Sequence, residues 1–96
     1  MYELDIKPTA DRIFRKLARK NPHRLGMIHK KLQEIREHPE HAYKFMRAPL
    51  QMFNRVHIDS SFVLIFQVHH AEQMVELWYF DHHDRVYAWR PPDAIR

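Results

Sequence analysis

The segment from residue 81 to residue 87 carries side chains suited to acid–base chemistry. It reads Asp81-His82-His83-Asp84-Arg85-Val86-Tyr87 and directly follows an apolar run that predicts a β-strand. Histidine titrates near neutral pH and can act as acid or base. Arginine matches phosphate oxygens in a two-pronged way. Arg55 and His57 repeat these side-chain types on an earlier predicted strand. The sequence therefore contains the groups needed for acid–base chemistry on a phosphate.

The other polar residues of this segment have a simpler interpretation. Asp81, His82 and Asp84 are predicted to orient the closing loop through hydrogen bonds, as Asp residues do in turns. A zinc or nickel site is the alternative, since both ions bind imidazole and carboxylate. Adjacent ligands usually diverge in direction, however, and no His-x3-His pair stands out. We therefore predict neither a native metal site nor a cofactor.

Length and composition predict one small intracellular domain. The chain has 96 residues and no cysteine, which suits a reducing cytoplasm. Its first residues lack the basic and then apolar layout of a signal peptide. The longest apolar run, from Phe62 to Phe66, is far too short to span a bilayer. We expect a cytoplasmic domain over residues 1–90, with no membrane contact, and a loosely held tail over residues 91–96 that begins at Pro91-Pro92.

The positive charge is concentrated in the first part of the chain. The net charge is +4, and the first forty residues hold ten Lys or Arg against six Asp or Glu. Such an excess indicates a polyanionic partner, either nucleic acid, a ribosome or an acidic protein segment. The alternative is a solvated helix face without a partner. The cations on the polar face of the first predicted helix are Arg12, Arg15, Lys16, Arg19 and Lys20.

Hydrophobic periodicity predicts an opening strand followed by two helices. Tyr2, Leu4 and Ile6 alternate with polar residues, as in a strand with one buried face. Thr9 is the predicted cap of the first helix, and Asn21 caps the second. The second helix is expected to close at His38-Pro39, because the residue before a proline disfavours the helical conformation.

The remainder of the chain predicts strands. We expect a short strand near Tyr43, a strand over residues 53–58 and a turn at Asp59-Ser60-Ser61. Two further strands are expected at 62–68 and 74–80. The fold class is therefore α+β, with the N-terminal strand and a helical hairpin packed on a three- to four-stranded antiparallel sheet. Val56 and Ile58 must face the helices, so Arg55 and His57 point to the other face. That second face is expected to be only partly covered and, because sheets twist, its open part is expected to be concave.

With these elements in order, the chain resembles the RelE/ParE superfamily of toxins from type II toxin–antitoxin systems. The resemblance extends from Tyr2 to Tyr87, and its most informative segments are residues 55–59, 62–66 and 83–87. It is closest to the YafQ-type, RelE-like branch of mRNA endonucleases, through His57, the run 62–66, His83 and Tyr87. The chain departs from the pattern at Val63, where many relatives have arginine, and at Ser61, where YafQ-type toxins have aspartate.

The resemblance implies a ribosome-dependent endoribonuclease that needs no metal. RNA is cleaved when its 2′-hydroxyl attacks the adjacent phosphorus, which requires a base, an acid and cations on the developing charge. His57 is assigned as the base and His83 as the acid, although the sequence does not fix the order. Arg55 and Arg85 would hold the phosphate, and Tyr87 would stack on a base or lie near the 2′-hydroxyl.

The resemblance also implies the partners. The basic face of the first helix would contact ribosomal RNA, and an acidic, partly disordered antitoxin would mask the site in a hetero-oligomer. Two alternatives remain open on sequence grounds. One is a ParE-like inhibitor that binds DNA gyrase and has no nuclease site. The other is a catalytically inactive relative that keeps the fold as a binding module.

Overall fold

The computed structural model describes residues 1–92 and contains one five-stranded sheet with two helices on one face and a final helical turn on the other. In chain order the elements are β1 (Glu3–Ile6), α1 (Pro8–Lys20), α2 (Pro22–Glu37), β2 (Lys44–Phe45), β3 (Asn54–Ile58), β4 (Phe62–His69), β5 (Met74–His82) and α3 (His83–Val86).

The sheet confirms the predicted α+β architecture and extends it. Its strand order is β1-β5-β4-β3-β2. The neighbouring pairs among β2 to β5 are antiparallel, as predicted, whereas β1 pairs with β5 in parallel. The sheet has five strands instead of three or four because the N-terminal strand joins its edge. The connection from β1 to β5 contains both long helices and three strands, which is long enough for parallel pairing.

The two long helices begin at prolines. The predicted cap Thr9 is wrong, because α1 starts one residue earlier at Pro8 and Lys7 occupies the cap position. Proline suits the first helical position since its missing N–H would have no partner there. The predicted cap Asn21 is confirmed, and its side-chain oxygen accepts a hydrogen bond from the Arg24 amide at 3.1 Å. The helical hairpin therefore has a defined turn.

The main hydrophobic core lies between the helices and the sheet. Val56 and Ile58 of β3 contribute to it, which leaves Arg55 and His57 on the opposite face, as predicted. This choice follows from the two-residue period of a strand. The buried members of the main core are Ala10, Phe14, Ile28, Leu32, Ile35, Ile58, Leu64, Phe66, Val75, Leu77 and Phe80.

A second core covers much of the face that was predicted to be only partly covered. The segment between β2 and β3 folds over this face from one side, and α3 folds over it from the other. Regular periodicity did not reveal this cover, because these segments are neither long helices nor strands. The buried members of the second core are Met46, Leu50, Phe53, Val63, Ile65, Trp78 and Val86, with Tyr79 and Trp89 packed against them.

The last strand is longer than predicted and is irregular in the middle. It continues past Phe80 to His82, and residues 83–86 form a helical turn instead of a loop. Tyr79 pairs with Ile65 and Leu77 with Phe66, which leaves Trp78 as an extra residue in a β-bulge. Because a bulge interrupts the alternation of a strand, Trp78 and Tyr79 can both contact the second core.

The end of the chain contains no further regular element within the described residues. Pro91 and Pro92 follow α3 and the Trp89 contact without helix or strand. The predicted tail extends to residue 96, and its part from 93 to 96 lies outside the described residues. Within residues 1–92, none of the helices has the length and apolar character needed to cross a membrane.

The only glycine of the chain provides a test of the helical hairpin. Gly26 lies inside α2 on the exposed side, and an added Cβ would meet no atom within 4 Å. Gly26→Ala should therefore raise the free energy of unfolding by roughly 0.5–1 kcal/mol, because glycine loses more backbone entropy on folding. Urea denaturation measures the change. As a matched control, Ala18→Gly on the exposed side of α1 should lower it by a similar amount, and an unstable Gly26→Ala protein would contradict this description of α2.

Candidate functional site

Two arginines and a tyrosine converge on a cavity at the β2–β3 side of the sheet. The cavity has a volume of about 300 Å³ and is lined by Arg47, Arg55 and Tyr87. Arg55 and Tyr87 were candidates from the sequence, and the structure brings them together. Arg47 was missed, because no sequence pattern distinguishes it from other exposed loop cations. The cavity offers two guanidinium groups and an aromatic ring, which suits a phosphate attached to a planar base.

Each of the three lining residues lies close in sequence to a buried member of the second core. Arg47 follows Met46, Arg55 lies two residues after Phe53, and Tyr87 follows Val86. These three neighbours are 3%, 1% and 0% exposed, respectively. Residues next to such tightly packed positions have a restricted backbone conformation. The cavity is therefore formed where the β2–β3 segment and β3 meet the end of α3 over one core.

Of the two candidate catalytic histidines, His57 lies on β3 and His83 begins α3 directly after β5, so β4 separates them. His57 pairs with Val63, and Val63 pairs with Asp81, directly before His82 and His83. Neighbouring strands are about 4.8 Å apart, so His57 and Asp81 are separated by about 10 Å across the sheet. His57 is exposed and borders a second cavity of about 350 Å³ next to α2. Between the strands of His57 and Asp81 lies Val63 of β4, which is fully buried in the second core.

Asp81 connects the end of β5 to α3. Its carboxylate accepts hydrogen bonds from the Tyr79 hydroxyl at 2.9 Å and from the His82 amide at 2.7 Å. Two Arg85 nitrogens, Nε and Nη2, lie 3.2 and 3.1 Å from the same carboxylate oxygen. Burial pushes the pKa of Asp81 upward, but these hydrogen bonds outweigh it and lower the pKa below the ordinary 3.8. Burial and the bond to Asp81 also raise the pKa of Tyr79.

Arg85 is consequently engaged in an ion pair. It uses Nε and Nη2 toward Asp81, although 68% of its side chain remains exposed. The structure thus places this candidate phosphate ligand against a carboxylate, whereas Arg55 lines the cavity. The nearest acid to Arg55 in sequence, Asp59, instead lies 3.6 Å from Arg24 of α2. Asp59 therefore does not neutralise the Arg55 guanidinium at the cavity.

His82, His83 and Asp84 form a compact group at the start of α3. The two imidazole rings stack with centroids 4.4 Å apart. His82 caps α3, because its Nδ1 accepts a hydrogen bond from the Asp84 amide at 3.1 Å. The Asp84 carboxylate lies 3.2 Å from His83 Nδ1, and the His83 amide donates to the Ser61 carbonyl at 2.9 Å. His83 is thus held at both its backbone and its ring.

The same group is the one set of potential metal ligands found in residues 1–92. One ligand atom from each of His82, His83 and Asp84 lies within 4.8 Å of the others. His82 Nδ1 already accepts a backbone hydrogen bond, however, so a metal ion at this atom would have to displace the cap of α3. The three residues are better explained by their contacts to the backbone and to one another.

The basic residues of α1 lie on the other side of the molecule. The helix packs on the face of the sheet opposite the cavity, so the structure does not bring these cations to the site. Arg15 pairs with Asp11 at 2.9 Å, and Arg12 contacts the Thr9 hydroxyl at 3.3 Å. Lys16, Arg19 and Lys20 are exposed. They remain a separate electrostatic surface that faces away from the candidate chemistry.

A polar network that the sequence did not reveal occupies the other end of the same sheet face. Lys7 Nζ lies 2.8 Å from Asp5 and 3.1 Å from Glu76, and His69 Nε2 lies 2.7 Å from Glu76. Burial raises the pKa of Glu76, but its bonds to His69 and Lys7 outweigh burial and lower it. Two carboxylates lie beside one lysine here, so this end of the face carries no net positive charge from its carboxylates and lysine, whereas Arg47 and Arg55 lie at the β2–β3 end.

Comparisons with known proteins identify relatives at both the sequence and the structural level. No protein-family model matches the chain. The chain is 47% identical over 87 residues to the RelE4 toxin candidate of Methanocaldococcus jannaschii, covering 91% of this chain and 92% of that protein. It is 45% identical over 87 residues to an uncharacterised Methanosarcina mazei protein, covering 91% and 100% of the two chains.

Solved structures show the same fold at lower identity. The toxin in the RelBE2 toxin–antitoxin complex of Mycobacterium tuberculosis is 19% identical, with a TM-score of 0.71 over 85% of this chain and 98% of that one. A mutant of Escherichia coli RelE in the free state is 23% identical, with a TM-score of 0.69 over 88% and 86%.

The contacts of Asp81 predict how stability depends on pH. The lowered pKa of Asp81 means that its ionised form stabilises the fold above about pH 4 and that this contribution is lost as the pH falls through the lowered value. Asp81→Asn should therefore reduce the free energy of unfolding at neutral pH by about 2 kcal/mol, because three donors lose a charged acceptor. The difference from wild type should shrink in acid. Urea denaturation from about pH 7 to about pH 2 measures both values.

A surface aspartate provides the control for this experiment. Asp11→Asn removes an exposed ion pair within α1 and should cost about 0.5 kcal/mol or less. An Asp81→Asn protein with wild-type stability at neutral pH would contradict the role of Asp81 as the link between β5 and α3.

Proposed function

Because this chain belongs to the RelE family and is a toxin of a toxin–antitoxin system, we propose that it is an endoribonuclease that cleaves mRNA on the ribosome. The observation that carries the proposal is the meeting of Arg55 and Tyr87 at one basic cavity, on the sheet face that also bears His57 and α3. Cleavage through the 2′-hydroxyl requires a base, an acid and cations on the developing charge, and the two histidines and the arginines can supply these groups.

In the proposed reaction the RNA supplies its own nucleophile. His57 takes the proton of the 2′-hydroxyl, whose oxygen attacks the adjacent phosphorus. The bond from phosphorus to the 5′-oxygen then breaks, and His83 donates a proton to that leaving oxygen. The products are a 2′,3′-cyclic phosphate and a 5′-hydroxyl. His57 and His83 come from different elements on either side of β4, which is consistent with giving them separate roles in the reaction.

The surrounding residues support this division of roles. The Asp84 carboxylate beside His83 Nδ1 leaves Nε2 as the nitrogen free to meet the leaving oxygen. Arg55 would bind the phosphate and stabilise the charge that develops on it. Arg85 would contribute through its exposed part while Asp81 holds the rest of its guanidinium. Tyr87, which is 47% exposed, is available for stacking on a base.

The proposed partners would use two different sides of the protein. The exposed cations of α1 would contact ribosomal RNA phosphates while the opposite face holds the mRNA. The cognate antitoxin would form a hetero-oligomer with this chain. Related toxins from M. tuberculosis and E. coli were crystallised with their antitoxins in RelBE2 and RelBE complexes, which supports this expectation.

The decisive experiment adds purified protein to ribosomes programmed with a defined mRNA and maps the cut ends by primer extension. Wild-type protein should cut at the codon in the ribosomal A site. His83→Ala and His57→Ala should each reduce the rate by roughly 10²–10⁴-fold, since each removes one partner of the proton transfer. His29→Ala, an exposed histidine on α2, should retain the wild-type rate and control for the substitution itself.

The outcomes separate the classes of function. Folded wild-type protein that leaves mRNA intact on programmed ribosomes would contradict the proposal, and a gyrase supercoiling assay would then test the ParE-like alternative. Wild-type cleavage by both histidine variants would keep the nuclease but remove this assignment of acid and base.

A further inference from the structure

Arg24 occupies a position in α2 that does not suit a cation. It is the third residue of the helix, and its amide donates a hydrogen bond to the Asn21 side chain at 3.1 Å. This position favours Glu or Gln, whose side chain can return a hydrogen bond to the cap residue. The positive end of the helix dipole disfavours a cation in the first turn, and the first turn of α2 contains no acid. Helix stability therefore does not explain the arginine.

The guanidinium group of Arg24 is also incompletely paired. Its Nε is buried and has no hydrogen-bond partner within the described part of the chain. Its Nη2 lies 3.6 Å from the carboxylate of Asp59, whose side chain is 51% exposed. A buried donor without a partner lowers stability, and an exposed ion pair adds little to it. Arg24 therefore contributes little to the free energy of unfolding.

The contacts of Arg24 are concentrated on the loop between β3 and β4, residues 59–61. Its Cζ lies 4.0 Å from the centre of the Phe62 ring, directly after the loop, and Asp59 begins the loop. Asp59 and Ser60 both have a φ of 52°, in the left-handed region that residues other than glycine rarely adopt. Such a backbone persists only where surrounding contacts hold it. Arg24 supplies contacts at both ends of the loop.

This loop connects the two candidate catalytic histidines. His57 lies on β3, two residues before the loop begins, and the Ser61 carbonyl accepts a hydrogen bond from the His83 amide at 2.9 Å. The Phe62 ring meets the His82 ring edge-on with centroids 5.3 Å apart, and the His82 ring stacks on that of His83. A displacement of the loop would therefore reach His83 through the backbone and through the rings.

We infer that Arg24 is a positioning residue, which fixes the loop over residues 59–61 and thereby the placement of His83 relative to His57. It acts from α2 through Asp59 and Phe62. Its effect on cleavage rests on the proposed function, whereas its effect on the loop can be measured in the protein alone.

Hydrogen exchange followed by NMR tests this link without ribosomes. Arg24→Gln removes the guanidinium and introduces a residue suited to the third position of a helix, so its free energy of unfolding in urea should equal or exceed that of wild type. The His83 amide should nevertheless exchange roughly tenfold faster or more, because the Ser61 carbonyl is no longer held in place. The amide of Glu3, in the distant β1, should exchange as in wild type.

A second arginine of the same helix provides the matched control. Arg36 Nε donates to the Tyr2 carbonyl at 2.7 Å, next to β1. Arg36→Met should lower the free energy of unfolding and speed exchange of the Glu3 amide, because it removes this hydrogen bond. It should leave exchange of the His83 amide unchanged. The two substitutions therefore separate an effect on stability from an effect on the loop.

The conservative variant tests which property of Arg24 matters. Arg24→Lys keeps the positive charge beside Asp59 but loses the planar group over the Phe62 ring. Its His83 amide should exchange at a rate between those of wild type and Arg24→Gln. Wild-type exchange of the His83 amide in folded Arg24→Gln protein would overturn the inference. A loss of stability in Arg24→Gln as large as that in Arg36→Met would also overturn it, since Arg24 would then act on stability.

Cleavage on programmed ribosomes provides the second readout. Arg24→Gln should lower the maximal rate by roughly 10- to 100-fold with an unchanged half-saturating concentration, because displacing a catalytic group by about 1 Å can cost this much. Arg24→Lys should recover part of the rate, and Arg36→Met should cleave as wild type. A wild-type maximal rate in Arg24→Gln would overturn the positioning role. Faster exchange of the His83 amide in Arg24→Gln, in a protein that leaves mRNA intact, would support the role of Arg24 in the loop while contradicting the nuclease.

Discussion

The second hydrophobic core is the constraint on which the candidate site depends. The central strands carry apolar side chains on both faces, and the two long helices can cover only one of them. Val63, Ile65 and Trp78 would otherwise face water, and burying such side chains is worth about 1.5–3 kcal/mol each. The β2–β3 segment and α3 fold over them, and each therefore has a fixed position on the sheet. The packing of these buried residues also fixes the backbone of their polar neighbours. Arg47, Arg55 and Tyr87, which line the cavity, are such neighbours.

Regular helices and strands could be predicted from the periodicity of the sequence, whereas the irregular segments that cover the second core could not. Strict alternation in residues 53–58 predicted which face Arg55 and His57 occupy, and helical spacing predicted the hairpin of α1 and α2. Neither the second core nor Arg47 could be predicted in this way. Met46, Leu50 and Val86 are buried by contacts between distant segments, and local periodicity carries no record of such contacts. The parallel pairing of β1 with β5 is likewise a long-range choice made at the edge of the sheet.

The β-bulge at Trp78 contributes to the same arrangement. In a regular strand, Trp78 and Tyr79 would point to opposite faces, and only one of them could reach the second core. With the bulge, Trp78 fills the core while Tyr79 lies on the same side, stacks against Trp89 at 5.4 Å and donates its hydroxyl to Asp81. Asp81 in turn fixes the start of α3. One inserted residue thus links the packing of the sheet to the placement of His83 and Tyr87.

The distribution of acids around the site determines which cations are available to a phosphate. Within residues 1–92, each carboxylate near the site has a cationic or imidazole partner: Asp59 lies beside Arg24, Asp81 beside Arg85, and Asp84 beside the two histidines. At the far end of the face, Asp5 and Glu76 lie beside Lys7, and His69 also contacts Glu76. Arg47 and Arg55, by contrast, line their cavity with no acid from the described part of the chain in its wall. The net positive potential of the sheet face is therefore concentrated where an aromatic ring is also exposed. A fold whose overall charge is only +4 can in this way present a locally basic cavity.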